Sequence, residues 1–256
     1  MNSAGAKDGS RFWSRLVRFA FLAALLLLWF LATTVWGVSH ILLPDPIDVW
    51  HQFVDILVSG EFIPDLRITL SEIAIAFAIS TALGVSLGYV ISRSPYWIKV
   101  FEPLFAGIYS IPIILFLPLY VLFFGLGPAS KIALGATISF FPIVLNTIAG
   151  FGYVDRILTA AARSMGANDL QMFRYVLFPA ALPVMLAGLR IGFTVTLLSI
   201  IGSETIASLA GLGHRIVDLA ENMDMARMFA YITFVVAIAA ILNTIVSRLE
   251  ARSRWW

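Results

Sequence analysis

The sequence predicts an all-α protein that crosses a membrane six times. Of its residues, 60% are hydrophobic and only 12% are charged, whereas soluble domains average about 25% charged residues. Apolar stretches long enough to cross about 30 Å of hydrocarbon also recur along the whole chain. We assign the six spans to residues 16–38, 68–92, 101–125, 131–153, 184–206 and 228–248.

The first span follows a basic N-terminal stretch. Lys7, Arg11, Arg15 and Arg18 precede an apolar run over Phe19–Val38, an order that also occurs in signal peptides. That run has about 20 residues, longer than the usual 7–15 of a signal peptide, and no convincing small-residue cleavage site follows it. We therefore expect a polar cytoplasmic tail over 1–15 and one transmembrane domain over 16–256, with cleavage as the alternative.

Both termini are expected on the cytoplasmic side. With that orientation, twelve of the seventeen basic residues face inward, as the positive-inside rule requires. The inward residues are Lys7, Arg11, Arg15, Arg18, Arg93, Lys99, Arg156, Arg163, Arg174, Arg248, Arg252 and Arg254. The orientation places the polar segment 155–179 in the cytoplasm.

The sequence lacks the sets of residues that catalyse reactions, bind metals or bind nucleotides. It has no Cys, and its three His have no second ligand at metal spacing. We find no Ser/His/Asp set, no paired catalytic carboxylates and no phosphate-binding GxxxxGK[ST] loop. The chain is therefore not expected to be an enzyme or to hold a cofactor or metal, and any ATP must bind to another protein.

The polar segment 155–179 predicts two short helices joined at a glycine. Asp155 can cap the first helix, and Gly166 can end it in a left-handed conformation. Asn168 can cap the second helix, with Gln171 at N3 completing a capping box. We expect two prolines to end the second helix before the next span: Pro179 and Pro183.

The same segment resembles the coupling loop of ABC-transporter permeases. That consensus reads Glu-Ala-Ala, three residues, Gly, nine residues, Ile-x-Leu-Pro. Here Ala160-Ala161-Ala162 opens it, Gly166 follows at the family spacing, and Val176-Leu177-Phe178-Pro179 closes it. Ala160 departs from the pattern, because the family normally has Glu there. The resemblance implies an interface with a cytoplasmic ATPase subunit that comprises Ala160, Ala161, Ala162, Arg163, Gly166, Ala167 and Asn168.

More of the chain, about 40–250, is similar to the nitrate/sulfonate/taurine/bicarbonate branch of that family. The matching elements are Leu43-Pro-Asp-Pro-Ile-Asp-Val-Trp50, the stretch Ser110–Gly127, the stretch Phe141–Phe151 and Gly211-Leu-Gly213. The resemblance implies the type I importer (MetI-like) permease fold, with a cytoplasmic coupling helix between spans four and five.

The resemblance also implies a function and partners. The chain would be the permease subunit of an ATP-driven importer in the bacterial cytoplasmic membrane, for a small anion such as a sulfonate, taurine or nitrate. Its partners would be two cytoplasmic subunits that bind ATP and Mg, and a second permease subunit, identical or different. A periplasmic or lipid-anchored binding protein would dock outside, the lipid bilayer would surround the spans, and no nucleic acid would be bound.

Polar side chains within the spans are the candidates for the translocation path. They are Tyr109, Ser110, Asn146, Ser203 and Glu204. A carboxylate at membrane depth is costly and usually faces a cavity or a partner, so Glu204 either lines the path or is an inert interfacial acid. The others can equally form helix–helix hydrogen bonds. We expect Glu72 to be structural near Arg67, and Arg190 to snorkel or to bond carbonyls of segment 155–179.

Two other classes of function are open at this point. A secondary transporter would show internal repeats and ion-coupling acids or broken helices in both halves, and neither is visible here. A membrane scaffold without transport is the second alternative. The folded cytoplasmic segment favours the importer permease over both.

Overall fold

The computed structural model describes residues 4–39 and 42–253, and within these ranges every regular element is helical. The helices are α1 (Ala4–Thr34), α2 (Pro46–Ser59), α3 (Ile63–Ser92), α4 (Pro95–Tyr109), α5 (Leu117–Phe124), α6 (Pro128–Gly152), α7 (Arg156–Ser164), α8 (Asp169–Met172), α9 (Phe178–Ile206), α10 (Leu212–Glu221) and α11 (Met225–Ser253). A 3₁₀ turn over Ile113–Phe116 precedes α5, and a π-helical turn over Phe173–Leu177 joins α8 to α9.

Four helical runs in the described part of the chain are long and apolar enough to cross a membrane. They are α3, α6, the run Asp169–Ile206 and the part of α11 over Met225–Arg248. A shorter apolar stretch, Phe19–Thr34, lies in α1, which already begins at Ala4 within the predicted tail.

The predicted third span, 101–125, is not one straight helix. α4 and the Ile113–Phe124 helix are bent by 71° relative to each other, so the pair is either a broken span or a re-entrant loop. Pro112 stands in the bend with ψ 82°. Proline has no N–H to donate to a helical hydrogen bond, and it disfavours the helical conformation of the residue before it. We attribute the end of α4 at Tyr109 to these two effects.

The expectation that Pro179 and Pro183 end a short helix was wrong. Pro179 lies in the first turn of α9 and Pro183 lies inside α9, so the helical run continues from Asp169 to Ile206. The π turn over Phe173–Leu177 explains this difference. A π turn shifts the hydrogen bonds by one residue, which accommodates the missing N–H of Pro179 without breaking the run.

The residues group into two compact units. The first contains the chain up to Glu61 together with Val217–Phe234. In it, the Trp29 indole donates to the carbonyl of Pro44 at 3.0 Å and packs on Phe229 at 5.9 Å. Arg227 forms a forked salt bridge to Glu61 at 3.1 and 2.5 Å, which is the bidentate geometry typical of strong pairs.

The element Leu43–Trp50 forms the start of α2 in this first unit. The Asp45 carboxylate accepts the N–H of Ile47 at 2.8 Å, and Pro46 occupies the first turn. These are standard N-terminal helix signals. We predicted no helix here from the sequence, although both signals were present.

The second unit contains Phe62–Ile216 and the residues from Val235 onward, and its core is the packing of α3, α6 and α9. Ile73 and Ala76 of α3 join Leu197 and Ile200 of α9 in one buried cluster. On the α3 surface, Gly84 and Gly88 stand directly against α6. Small residues of α3 therefore allow a close helix contact with α6.

Candidate functional site

The segment 155–179, which we call the coupling segment after the loop that it resembles, folds as the sequence predicted in its first half. The Asp155 carboxylate accepts the N–H of Ile157 at 2.8 Å and caps α7. The Asn168 side chain accepts the N–H of Gln171 at 2.8 Å, and the Gln171 side chain accepts the N–H of Asn168 at 2.9 Å. This reciprocal pair is the predicted capping box at the start of α8.

The turn between the two helices is a Schellman motif centred on Gly166. The N–H of Gly166 donates to the carbonyl of Arg163 at 2.9 Å, and the N–H of Ala167 donates to the carbonyl of Ala162 at 3.1 Å. Gly166 has φ 80°, the left-handed conformation that the sequence required of it. The turn therefore depends on a residue without a Cβ.

The coupling segment presents its predicted interface to the outside of the chain. Ala160, Ala161, Arg163, Gly166 and Asn168 are exposed, whereas Ala162 and Ala167 are half-buried. Three apolar side chains stand out on the same hairpin: Ile157 is 74% exposed, Met165 87% and Leu170 73%. Several strongly exposed apolar side chains on one short hairpin are typical of a protein contact surface.

A polar contact lies at the base of the coupling segment. The Tyr153 hydroxyl donates to the Glu102 carboxylate at 2.9 Å. That hydrogen bond and the neighbouring negative charge raise the pKa of Tyr153. A cavity of about 430 Å³ beside it is lined by Lys99, Tyr153 and Asp155. The geometry therefore links α4 to the start of α7.

The second polar site is a buried network around Glu204, which we call the Glu204 cluster: Asp65, Thr69, Glu72, Lys131 and Glu204. The Glu204 carboxylate accepts the Thr69 hydroxyl at 2.7 Å and the N–H of Gly213 at 2.8 Å. Thr69 accepts the N–H of Leu212 at 3.0 Å, and Asp65 accepts the N–H of Gly211 at 3.0 Å. Two acids and a hydroxyl thus hold Gly211-Leu-Gly213 against α3.

Gly211 is required at its position in this network. It has φ 109°, and a Cβ placed on it would collide with the Glu204 carboxylate. In the sequence, Gly211-Leu-Gly213 was only one of the elements that resemble the family. The structure gives a physical reason for glycine at position 211. Glycine lets the backbone approach the buried acid closely.

Lys131 and Glu72 complete the cluster, and both are only 1% exposed. The Lys131 ammonium donates to the carbonyls of Leu126 and Gly127 at the turn before α6. The Oε2 atom of Glu72 has no hydrogen-bond partner within the described residues. Both side chains line a cavity of about 200 Å³. A structural role for Glu72 stays a prediction, but its side chain lies in this cluster and not beside Arg67, which is exposed.

The predicted path residues lie in three separate parts of the fold. Tyr109 and Ser110 are at the bend after α4, where Ser110 donates to the carbonyl of Gly107 at 2.7 Å. Asn146 donates to the carbonyl of Pro142 and packs on Gly188 of α9. Ser203 and Glu204 are buried near the end of α9. A role for these residues in the path stays a prediction.

Sequence reasoning missed several members of these sites. The sequence analysis did not single out Thr69, Asp65 or Lys131. The signal that could have indicated this cluster was a glycine motif that follows an acid at membrane depth within a few residues. The snorkelling predicted for Arg190 stays a prediction, but its carboxylate partner was missed. Arg190 pairs with Glu250 at 3.2 Å, 60 residues away, and no periodicity in the sequence points to that partner.

Comparisons with known proteins give the family. A profile described as "Binding-protein-dependent transport system inner membrane component" matches residues 80–255. The chain is 30% identical to the taurine transport system permease protein TauC of Escherichia coli, over 92% of this chain and 87% of that protein. It is 33% identical to the putative aliphatic sulfonates transport permease protein SsuC of Escherichia coli, over 86% and 81% of the two chains.

The fold agrees with this assignment. A chain of the MetNI methionine ABC transporter, in an inward-facing conformation, superposes with a TM-score of 0.62 at 18% identity, over 75% of this chain and 95% of that one. The all-helical architecture is therefore MetI-like, and the apolar helices make the chain a multi-pass membrane protein. It belongs to the family of binding-protein-dependent transport system inner membrane components, as the permease subunit of an ABC importer.

Proposed function

We propose that this permease transmits the motion of a cytoplasmic ATPase to the membrane through the coupling segment. The observation that carries the proposal is the capped hairpin of α7 and α8, with its left-handed Gly166 and its exposed Ile157, Met165 and Leu170. The hairpin is rigid, because both helices are capped by side chains and the turn by backbone hydrogen bonds. It is also continuous with α9 through the π turn.

This continuity supports a mechanical role. The helical run from Asp169 to Ile206 extends directly from the hairpin into a span, and α9 forms the core together with α3 and α6. A displacement of α8 by a docked protein would therefore move α9 and change its packing against the other two helices. ATP and Mg would be bound by the ATPase subunits, two per importer, and this chain would perform no hydrolysis.

The proposed topology has six spans with both termini in the cytoplasm. The bent pair of α4 and α5 would count as one span and α1 as another. A second permease subunit would complete the path, and a substrate-binding protein would dock on the outer side. TauC and SsuC are named for taurine and aliphatic sulfonates, so we propose a small sulfonate-type anion as the transported solute.

Arg163→Glu is expected to weaken recovery of the ATPase subunit strongly, whereas Ala160→Glu is expected to leave recovery unchanged. Arg163 is exposed on the last turn of α7, beside the apolar surface. Reversing its charge replaces an attraction at the contact with a repulsion, whereas Ala160→Glu only restores the family residue. Copurification of tagged permease with its ATPase measures both variants.

Arg93→Glu is the control for this experiment, because Arg93 is also exposed and basic but follows α3. It should retain the ATPase. Loss of the ATPase in Ala160→Glu, with normal recovery in Arg163→Glu, would show that the coupling segment is aligned incorrectly.

Reporter fusions test the topology. Fusions after Arg93 and after Arg163 are expected to report the cytoplasm, and a fusion near Asp55 the outer side, because the basic residues concentrate on the first side. Paired alkaline phosphatase and fluorescent-protein fusions make the measurement. A cytoplasmic signal near Asp55 would reverse the orientation.

A further inference from the structure

Four polar side chains line a cavity between α9 and α11 whose other walls are mostly apolar. The cavity has a volume of about 400 Å³, and we call it the Arg190 pocket. Its polar members are Arg190, Thr194, Asn243 and Glu250, and Ala187 and Ile191 are among the apolar ones. None of these polar residues belongs to the coupling segment or to the Glu204 cluster.

Arg190 supplies the charge of this pocket. One guanidinium nitrogen donates to Glu250 at 3.2 Å. Glu250 is 5% exposed, but Arg190 remains 46% exposed. A guanidinium has five N–H donors in a planar fork, so this single contact orients the group and uses only part of its capacity. The pocket therefore contains a positioned fork with donors available to a ligand.

Asn243 supplies a second donor. The Thr194 hydroxyl shares its one proton between two acceptors, the carbonyl of Arg190 at 3.0 Å and Oδ1 of Asn243 at 3.3 Å. The carbonyl oxygen of the amide thus faces Thr194, which leaves its NH₂ group for the pocket. The hydrogen-bond assignment follows this network. The two free groups on opposite helices, a guanidinium and an amide NH₂, are both donors.

Two donor groups, one of them already paired with the carboxylate of the pocket, suit an anion with several oxygens. A guanidinium fork matches the oxygens of sulfonate and phosphate in a bidentate way, and an amide NH₂ can bond a third oxygen. The buried Glu250 offsets the charge of Arg190, so hydrogen bonds and not net charge would hold the anion. The volume exceeds that of a small sulfonate or a lipid phosphate group.

The depth of the pocket along α9 would also give an anion access to it from the membrane surface. Arg190 lies about 24 Å along the helix axis from Ile206 at the end of α9, which is close to the full thickness of about 30 Å of hydrocarbon. A pocket at that depth can be reached from a lipid headgroup layer. In the proposed topology it is on the cytoplasmic side, where a transported solute would leave the path.

We propose that the Arg190 pocket binds a tetrahedral oxyanion, either the sulfonate of a small solute or the phosphate of an anionic lipid. The first source rests on the proposed function, and the second does not. In both cases Arg190 and Asn243 donate to the oxyanion, and Glu250 acts as a positioning residue for the guanidinium.

Thermal unfolding of the full-length permease in neutral detergent tests this assignment. The two probes are 2-aminoethanesulfonate and short-chain phosphatidylglycerol, with 2-aminoethanol and short-chain phosphatidylcholine as matched probes that lack a sulfonate or a net negative charge. We expect a saturable rise of the unfolding midpoint of the unsubstituted protein with at least one of the two anionic probes, and none with the matched ones.

A double variant and a single variant test whether the rise of the unfolding midpoint comes from binding in the pocket, and a third variant is the control. Arg190→Gln combined with Glu250→Gln removes both charges together, which avoids leaving a buried unpaired carboxylate, and should abolish the rise. Asn243→Leu should weaken the apparent affinity about tenfold, the loss of one hydrogen bond to a charged group of roughly 1.4 kcal/mol. Arg248→Gln removes one charge from α11 at an exposed position and should behave as the unsubstituted protein.

The possible outcomes distinguish a solute from a lipid as the source of the anion. They also distinguish failure of the pocket proposal from failure of the proposed coupling function. A rise with the sulfonate alone assigns the pocket to a solute, and a rise with the phospholipid alone assigns it to lipid. No rise with either probe, or an equal rise in the double variant, overturns the proposal. The measurement needs no ATPase, so failed ATPase recovery with the unsubstituted permease would overturn the proposed coupling function without affecting this result.

Discussion

Gly166→Val is expected to leave the permease inserted in the membrane and to abolish ATP-driven transport. Gly166 has φ 80°, and apart from its chain neighbours no atom of the described residues lies within 4 Å of the place where a Cβ would stand. The Cβ therefore meets no such neighbour, and we expect the effect to come from the backbone. A left-handed conformation costs roughly 1–2 kcal/mol for a residue with a Cβ, and a β-branched residue there is a true outlier.

That cost is concentrated in the turn and not in the spans. Relieving it requires Gly166 to leave the left-handed region, which breaks the Schellman hydrogen bonds and redirects α8 away from α7. The measurement is transport and ATPase activity in reconstituted vesicles, together with recovery of the ATPase subunit. We expect loss of transport through either loss of the ATPase or uncoupled hydrolysis.

Gly107→Val is the matched control for membrane insertion and ATPase recovery. Gly107 also has no atom within 4 Å of an added Cβ, but its φ is that of an ordinary helical residue. The control should recover the ATPase normally. Normal transport, hydrolysis and ATPase recovery in Gly166→Val would show that segment 155–179 is not the coupling element.

Glu204→Leu is expected to cause the largest loss of stability. The substitution leaves the Thr69 hydroxyl and the N–H of Gly213 without their acceptor in a buried site. Each unsatisfied buried group costs about 1–3 kcal/mol, so we expect a loss on the order of 3 kcal/mol. For a chain of this size that corresponds to a fall in Tm of roughly 6–12 °C.

Thermal unfolding in detergent measures this fall, and limited proteolysis at residues 207–211 measures release of the loop. Glu204→Gln keeps one carbonyl acceptor and should give an intermediate Tm. Glu221→Gln changes an exposed acid at the end of α10 and should leave Tm unchanged. A Tm of Glu204→Leu equal to that of Glu221→Gln would contradict the role assigned to the cluster.

The hairpin of the coupling segment could be predicted from the sequence in detail. Asp155, Gly166 and the Asn168–Gln171 pair act on backbone groups at most five residues away, so their effect depends on local spacing alone. The apolar stretches were equally visible, because a membrane requires length and hydrophobicity before it requires any particular packing. The same local rules would have found α2, where Asp45 and Pro46 were overlooked.

The behaviour of the prolines could not be read from the sequence. Pro112 stands at a bend of 71° between two helices, whereas Pro179 and Pro183 are accommodated inside a continuous helical run. A proline removes one N–H in each case. The response depends on whether the neighbouring backbone can shift its hydrogen bonds, as the π turn before Pro179 does.

The all-α membrane class, the family resemblance and the capped hairpin could all be predicted from the sequence, because each depends on composition or on contacts between near neighbours. The partners of the polar groups within the helices required the folded structure. Thr69 reaches Glu204 across 135 residues, and Arg190 reaches Glu250 across 60. A charge in a membrane protein must find a partner, but which partner it finds depends on how the helices pack, and that is a property of the whole fold.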